Sequence, residues 1–335
     1  MTETADVSKT RAWVMAARPQ TLPAAASPVL VGTAVAYYGG VFEPVAALFA
    51  FIGAALIQVG TNFANDYYDA VQGADTENRE GFTRVTAGGL IEPAAVKRAM
   101  ILTFGLAIVS GAYLVYVAGV PILVVGLVSV ACGVAYTGGP YPLGYHGLGD
   151  IFVFVFFGLV AVTGTYYVQA AALLGEPLAT GLVDAPELGL AFVASLPMAA
   201  ISTNILVVNN VRDREEDAET GKETLVVKFG YGFGRAEFVS MLALSYLTPV
   251  ALVVGDGVPA TVLLSWLSLP LAWSVTTTVL NRTDGAALNP ALERVGQLLA
   301  LYALLFSVGF AAPETAIGGA LAAGAPAMPT PTEVR

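Results

Sequence analysis

Charge is missing from long stretches of this 335-residue chain: none falls in the 24 residues between Arg18 and Glu43, the 22 between Glu43 and Asp66, or the 51 between Arg98 and Asp150. A helix rises about 1.5 Å per residue, so about 20 apolar residues cross the roughly 30 Å hydrocarbon core of a bilayer. Soluble domains average about 25% charged residues. This chain is 12% charged and 56% hydrophobic, which cannot furnish a soluble surface. The sequence predicts an all-α polytopic membrane protein.

Cutting the uncharged runs at Gly and Pro places nine transmembrane helices in a single bundle, near 20–39, 44–68, 97–117, 120–137, 149–172, 188–211, 236–254, 258–280 and 295–314. The 51-residue run must hold two of them, broken at Val120-Pro121. Basic residues support this count independently, because short cytoplasmic loops collect Lys and Arg. With the N-terminus cytoplasmic, 14 of the 15 basic residues fall on one face and only Arg335 on the other. The expected location is the plasma membrane, multi-pass. The N-terminus lacks the pattern of a cleaved signal peptide. The division read from composition is a polar tail at 1–11, a membrane domain at 12–314, and an Ala/Gly/Pro-rich tail at 315–335.

One cysteine, Cys132, and one histidine, His146, rule out an internal disulfide, a thiolate zinc site and a multi-histidine metal site. Any metal must be held by oxygen, which points to Mg²⁺. A net charge of −10 carries no expectation of a nucleic-acid partner. With 4 Lys against 11 Arg and 25 acidic residues, the composition suggests a salt-loving host and activity that falls at low salt.

Two polar segments differ from everything else in the chain. Asn62, Asp66 and Asp69 follow one apolar span at i, i+4 and i+7, and Asn209, Asp213 and Asp217 follow another at i, i+4 and i+8. Each set shares one helix face. Each is followed by a small-residue turn and a Thr, at Gly73-Ala-Asp75-Thr76 and Gly221-Lys222-Glu-Thr224, which makes a weak internal repeat. Stacked carboxylates near a membrane repel one another, so something cationic is expected between them. Mg²⁺ binds through one or two carboxylates while substrate phosphates fill its other positions, so facing stripes suit a diphosphate clamp. Asp66, Asp69, Asp213 and Asp217 are the candidate catalytic and metal-binding residues. Asn62, Asn65, Asn209, Arg84 and Lys222, with Arg79 and Lys228 nearby, are candidates to support the clamp and hold phosphate oxygens. The plainer alternative is solvated loop charge, which would account for Arg212 to Asp217 taken alone. Tyr136, Tyr141 and Tyr145 line either an aromatic-substrate pocket or an interfacial aromatic belt, and His146 is a loop histidine or a base.

These residues resemble the UbiA-type membrane-embedded prenyltransferases. The resemblance is carried by Ala17-Arg18-Pro19-Gln-Thr21-Leu22-Pro23, by Gln58 to Asp69, by Gly73-Ala-Asp75-Thr76 and by Arg84-Val-Thr-Ala-Gly-Gly-Leu. It continues through Tyr136-Thr-Gly-Gly-Pro140-Tyr-Pro-Leu-Gly-Tyr145, Gly149-Asp150 and Asn209 to Leu225, and spans residues 12 to about 310. It implies a nine-helix bundle whose two Asp motifs bind Mg²⁺ and the diphosphate of a polyprenyl donor at the cytoplasmic side. Gly73 stands where relatives that prenylate 4-hydroxybenzoate carry a third Asp, and Tyr141 and Tyr145 replace a basic residue. Both departures favour 1,4-dihydroxy-2-naphthoate as the acceptor, prenylated with loss of CO₂, over 4-hydroxybenzoate or a glyceryl phosphate lipid precursor. A secondary transporter is the competing class, but it would place its polar cluster at mid-span rather than at inner helix ends.

Overall fold

The computed structural model describes residues 7–72 and 85–312. Every regular element among them is helical. A short α1 (Lys9–Ala17) and a 3-10 turn (Pro19–Thr21) lead into α2 (Leu22–Tyr38), α3 (Pro44–Gln72) and α4 (Pro93–Ala135). Then α5 (Gly149–Phe154) passes through a π turn (Val155–Val160) into α6 (Ala161–Leu174), followed by α7 (Leu188–Arg212). The short α8 (Arg214–Glu219) and α9 (Leu225–Phe229) precede α10 (Tyr231–Gly255), a 3-10 stretch (Ala260–Ser268) running into α11 (Leu269–Asn281), and α12 (Gly285–Ala311).

Seven helical stretches are long and apolar enough to cross a membrane. One of them is α4, whose 43 residues fold at Gly119 (φ 75°, ψ −164°). A side chain at Gly119 would strike the backbone of Ala179. The following Val120 amide bonds to the Ala179 carbonyl (2.8 Å), and Leu178 bonds to Tyr116 (2.9 Å). The loop carrying Leu178 and Ala179 thus satisfies groups released by the break, and Pro121 begins the second arm without an amide to lose. The long uncharged run divides where Val120-Pro121 indicates.

Several boundaries differ from those read off the sequence. The third helix runs to Gln72 rather than residue 68 and so carries Asp69 within it. Helix α10 opens at Tyr231 rather than 236. The last helix opens at Gly285, ten residues before 295, because the Asp284 side chain caps it by accepting the Ala287 amide (3.1 Å). Glu293 and Arg294, which look like loop charge, are therefore helical. At the other end, Ser8 caps α1, so a helix starts inside the stretch read as a polar tail. The C-terminal tail at 315–335 lies outside the described residues.

Two main packed regions hold the bundle, beside a third and smaller cluster where Ala46 of α3 and Ala118 of α4 meet Tyr167, Val168 and Ala171 of α6. Through the larger runs α7, whose Ala191, Ala194, Met198, Ile201 and Val208 are buried against α2, α6, α10 and α12. At the π turn Gly158 lies so close to Ala199 of α7 that a Cβ would collide with it. The smaller region joins Ala12 and Ala16 of α1, Phe63 and Ala64 of α3, and Val96, Met100 and Phe104 of α4. Some buried hydroxyls are satisfied by backbone, as in Tyr302 to the Ser245 carbonyl and Thr261 to the Gly309 carbonyl, both 2.6 Å. Leaving such groups unmade in lipid would cost several kcal/mol each. The outer faces expose Ile101, Val109, Val124, Leu247 and Trp273, which suits a hydrocarbon surround.

Candidate active site

Between the two packed regions lies a cavity of about 890 Å³. Its walls come from α3 and α4 on one side and from α5 to α7 and α12 on the other, with α2 closing the seam. One end is polar, where Asp69, Asp213, Asp217 and Lys222 converge. The rest is mostly apolar, with Ile57, Ile108, Leu114, Val125 and Phe156 among its lining.

The first stripe splits in function. Asn62 donates to the Ala17 carbonyl and to the Thr21 hydroxyl, both 2.9 Å, and Gln58 also donates to Thr21 (3.0 Å). These bonds pin α3 to the turn that carries Arg18, a residue held in the left-handed region (φ 52°, ψ 64°) that non-glycine residues seldom adopt. From there the Arg18 guanidinium lies 3.8 Å from Asp66. Asp66 also accepts the Thr86 amide (3.2 Å) and hydroxyl (2.5 Å), and, though as buried as Asp69, it is not part of the cavity wall. Asp69 does face the cavity and accepts from the Tyr145 hydroxyl (2.8 Å). Asn65, also in the wall, accepts from Thr137 (2.9 Å).

The second stripe keeps one face although α7 ends at Arg212. Its hydrogen-bond ladder continues through Asp213 to Asn209 (2.8 Å) and Asp217 to Asp213 (2.7 Å), so Asn209, Asp213 and Asp217 all reach the cavity. Arg212 grips both Asp213 oxygens, at 2.6 and 2.7 Å, and donates a third bond to Asn289 of α12 (2.8 Å). The Lys222 ammonium stands 3.6 Å from Asp217 and 5.0 Å from the Tyr145 ring centre. Burial pushes the Asp217 carboxyl up to about 6; Lys222 pulls it back in part, while Asp213 and Glu216 add to the rise. Tyr136 lines the cavity and holds its proton well above the usual phenol range, through desolvation first and then the fields of Asp150, Asp69 and Asp217. Tyr145 joins the stripes: its hydroxyl is on Asp69, its ring is under Lys222, and its carbonyl accepts the Glu223 amide (2.7 Å).

Of the other residues singled out from the sequence, Tyr141 is 57% exposed and stacks on His146 (3.7 Å between ring centres), away from the main cavity. Lys228 pairs with Glu223 (3.0 Å) and does not line the cavity. Thr224, the repeat's threonine, caps α9. Arg84, Arg79 and Asp75 lie outside the described residues. Sequence reasoning assigned no role to Arg18 or Arg212 and missed Glu293 and Gln297, all of which line the cavity. Beginning the last helix at 295 hid the i, i+4 spacing that joins Glu293 to Gln297.

The sequence profile of the UbiA prenyltransferase family matches residues 25–299. The chain belongs to that family. It is 39% identical to 1,4-dihydroxy-2-naphthoate octaprenyltransferase of Escherichia coli, over 90% of this chain and 96% of the relative. The protein of the same name from Mycobacterium tuberculosis is 33% identical over 93% and 97%. Among solved structures, a UbiA homologue from Archaeoglobus fulgidus bound to DMAPP and Mg²⁺ shares the fold at a TM-score of 0.56 and 14% identity, over 88% and 99% of the two chains. The apo UbiA homologue from Aeropyrum pernix K1 does so at 0.61 and 11%, over 85% and 98%.

The residues present fit a hard divalent cation of the kind bound in the Archaeoglobus member of the family. The carboxylates facing the polar end offer oxygen only, from two sides of the cavity. Among the described residues no three His, Cys, Asp or Glu side chains gather as a complete metal cage. Mg²⁺ commonly binds through one or two carboxylates, with waters and substrate phosphate oxygens completing its shell. The repulsion anticipated within the stripes is already relieved in part by the protein's own cations, Arg18, Arg212 and Lys222.

Proposed function

We propose that this UbiA-family protein transfers a polyprenyl group from polyprenyl diphosphate to 1,4-dihydroxy-2-naphthoate, releasing diphosphate and CO₂ and giving demethylmenaquinone. The supporting observation is a single cavity with carboxylates and a lysine at one end and an apolar remainder. The acceptor is the one named for the relatives at 33–39% identity. Asp69, Asp213 and Asp217 would hold Mg²⁺, which when bound neutralises charge building on the departing diphosphate. Lys222 donates to the phosphate oxygens, and Arg212 and Tyr145 hold Asp213 and Asp69 in place. Asp66 acts behind them by fixing Arg18 and Thr86. The apolar remainder receives the isoprenoid and keeps water from the developing allylic cation. Counting α2, both arms of α4 and the other six spans gives nine crossings. With the N-terminus in the cytoplasm, the polar end opens on the cytoplasmic side of the plasma membrane.

The test is to supply purified protein in lipid nanodiscs with Mg²⁺, labelled polyprenyl diphosphate and each acceptor in turn. Prenylated naphthoate with stoichiometric CO₂ is expected, and chelation should stop it. Product from 4-hydroxybenzoate or a glyceryl phosphate, without CO₂ and without naphthoate turnover, would overturn the acceptor.

A further inference from the structure

Four carboxylates line the cavity, and three belong to the polar end. The fourth, Glu293, is different. It lies on α12 at i+4 from Asn289, which accepts a hydrogen bond from the same Arg212 that grips Asp213. Gln297 follows at i+8. Residues at i and i+4 lie about 5–6 Å apart on a helix face, so Glu293 stands one turn from the Asn289 anchor and Gln297 one turn beyond it. Both line the cavity, and among the described residues no hydrogen bond or ion pair engages either side chain. Gln20, on the 3-10 turn that packs against α12, also lines the cavity with its side chain unengaged. Asp213 and Asp217 have cationic partners and Asp69 has the Tyr145 hydroxyl, whereas Glu293 has no partner among the described residues. Glu293, Gln297 and Gln20 are all exposed rather than buried, which leaves their polar ends open to a molecule in the cavity.

The chemistry needs such a group at this place. The allylic carbon lies beside the diphosphate, so the acceptor ring must sit next to the polar end, where α12 presents Glu293. We propose that Glu293 is the catalytic carboxylate of the acceptor subsite, taking the proton of a ring hydroxyl while Gln297 and Gln20 orient the acceptor's oxygens. This rests on the prenyl-transfer reading above. The O–H bond of the hydroxyl next to the carboxyl-bearing carbon breaks, and its proton passes to Glu293. A C=O bond forms there as the ring carbon bonds to the allylic carbon, and the C–O bond to diphosphate breaks with its electron pair leaving on diphosphate. The ring–carboxylate bond then breaks, CO₂ leaves, and that electron pair restores the aromatic ring. The oxygen recovers its proton from Glu293, so no net proton is consumed.

The experiment compares wild type, Glu293→Gln and Glu293→Asp in nanodiscs with Mg²⁺, using the naphthoate and its methyl ether at the hydroxyl beside the carboxyl-bearing carbon. General-base catalysis contributes roughly 10²–10⁴-fold, so Glu293→Gln should lower kcat at least about 100-fold on the free naphthoate, with KM for polyprenyl diphosphate unchanged. Glu293→Asp should recover part of the rate. Methylation should slow the wild type by a similar factor and slow Glu293→Gln no further. Wild-type turnover by Glu293→Gln, or losses from variant and methylation that multiply, would overturn the assignment. If the wild type ignores the naphthoate but prenylates another hydroxylated acceptor, the acceptor identity fails, and Glu293 is judged by the same kcat comparison on that acceptor.

Discussion

The two aspartate stripes look equivalent as sequence and are not equivalent as structure. The first lies on one unbroken helix, yet its central carboxylate, Asp66, turns away from the cavity to serve Thr86 and Arg18. The second crosses a helix end, yet all of its members, Asn209, Asp213 and Asp217, stay in the cavity wall. A regular helix does not guarantee a shared role, because the role depends on what packs against each turn. Breaking the helix at Arg212 loses little, since the ladder continues to Asp217.

Substitutions should separate the positions in a fixed order. Asp69→Ala and Asp217→Ala remove carboxylates that face the substrate and should cost roughly 10²–10³-fold in kcat, comparable to losing one preorganised charge-stabilising group. Prenyl transfer in nanodiscs measures this, and near-normal turnover in either variant would remove it from the clamp. Arg212→Lys keeps the charge but loses the two-pronged grip on Asp213. Supporting residues of this kind typically set 10–100-fold in metal affinity, so the Mg²⁺ concentration for half-maximal rate should rise by about that factor. Asp66→Asn should act mainly on stability. It weakens a buried charge-assisted bond and its ion pair with Arg18, costing about 1–3 kcal/mol in a thermal melt while kcat falls less than about tenfold. If Asp66→Asn is as inactive as Asp69→Asn and melts normally, the difference between the two carboxylates disappears.

Much of this is legible in the sequence, for physical reasons that also explain what is not. A bilayer forbids charge over a helix-length run, so the spacing of Arg18, Glu43, Asp66, Arg98 and Asp150 marks the crossings almost directly. The second stripe was legible because Asn209, Asp213 and Asp217 keep helical spacing. The diversion of Asp66 was not, since it depends on a threonine 20 residues later and an arginine 48 residues earlier, contacts that no local pattern encodes. Glu293 and Arg294 misled in the opposite way. Charge at the end of an apolar run reads as loop, but α12 begins at its Asp284 cap and carries Glu293 to the cavity wall, where a polar lining can solvate it.

The smallest expected effect tests whether the two stripes are coupled at all. Tyr145 touches both, through its hydroxyl on Asp69 and its ring beneath Lys222, the partner of Asp217. Tyr145→Phe removes the hydroxyl and leaves the ring, so Asp69 loses one donor while Lys222 keeps its aromatic support. A hydrogen bond typically contributes about 0.5–1.5 kcal/mol net. A rise of about fivefold in KM for polyprenyl diphosphate, with kcat nearly unchanged, is therefore expected. Combining it with Lys222→Met measures the coupling, because side chains in one network depart from additivity by about 0.5–3 kcal/mol whereas separate sites add within about 0.5 kcal/mol. If the effects on KM simply multiply, Tyr145 supports Asp69 alone, and the stripes act as independent halves of the clamp. If the double variant is no worse than Lys222→Met, the loop carrying Tyr145 makes them one unit.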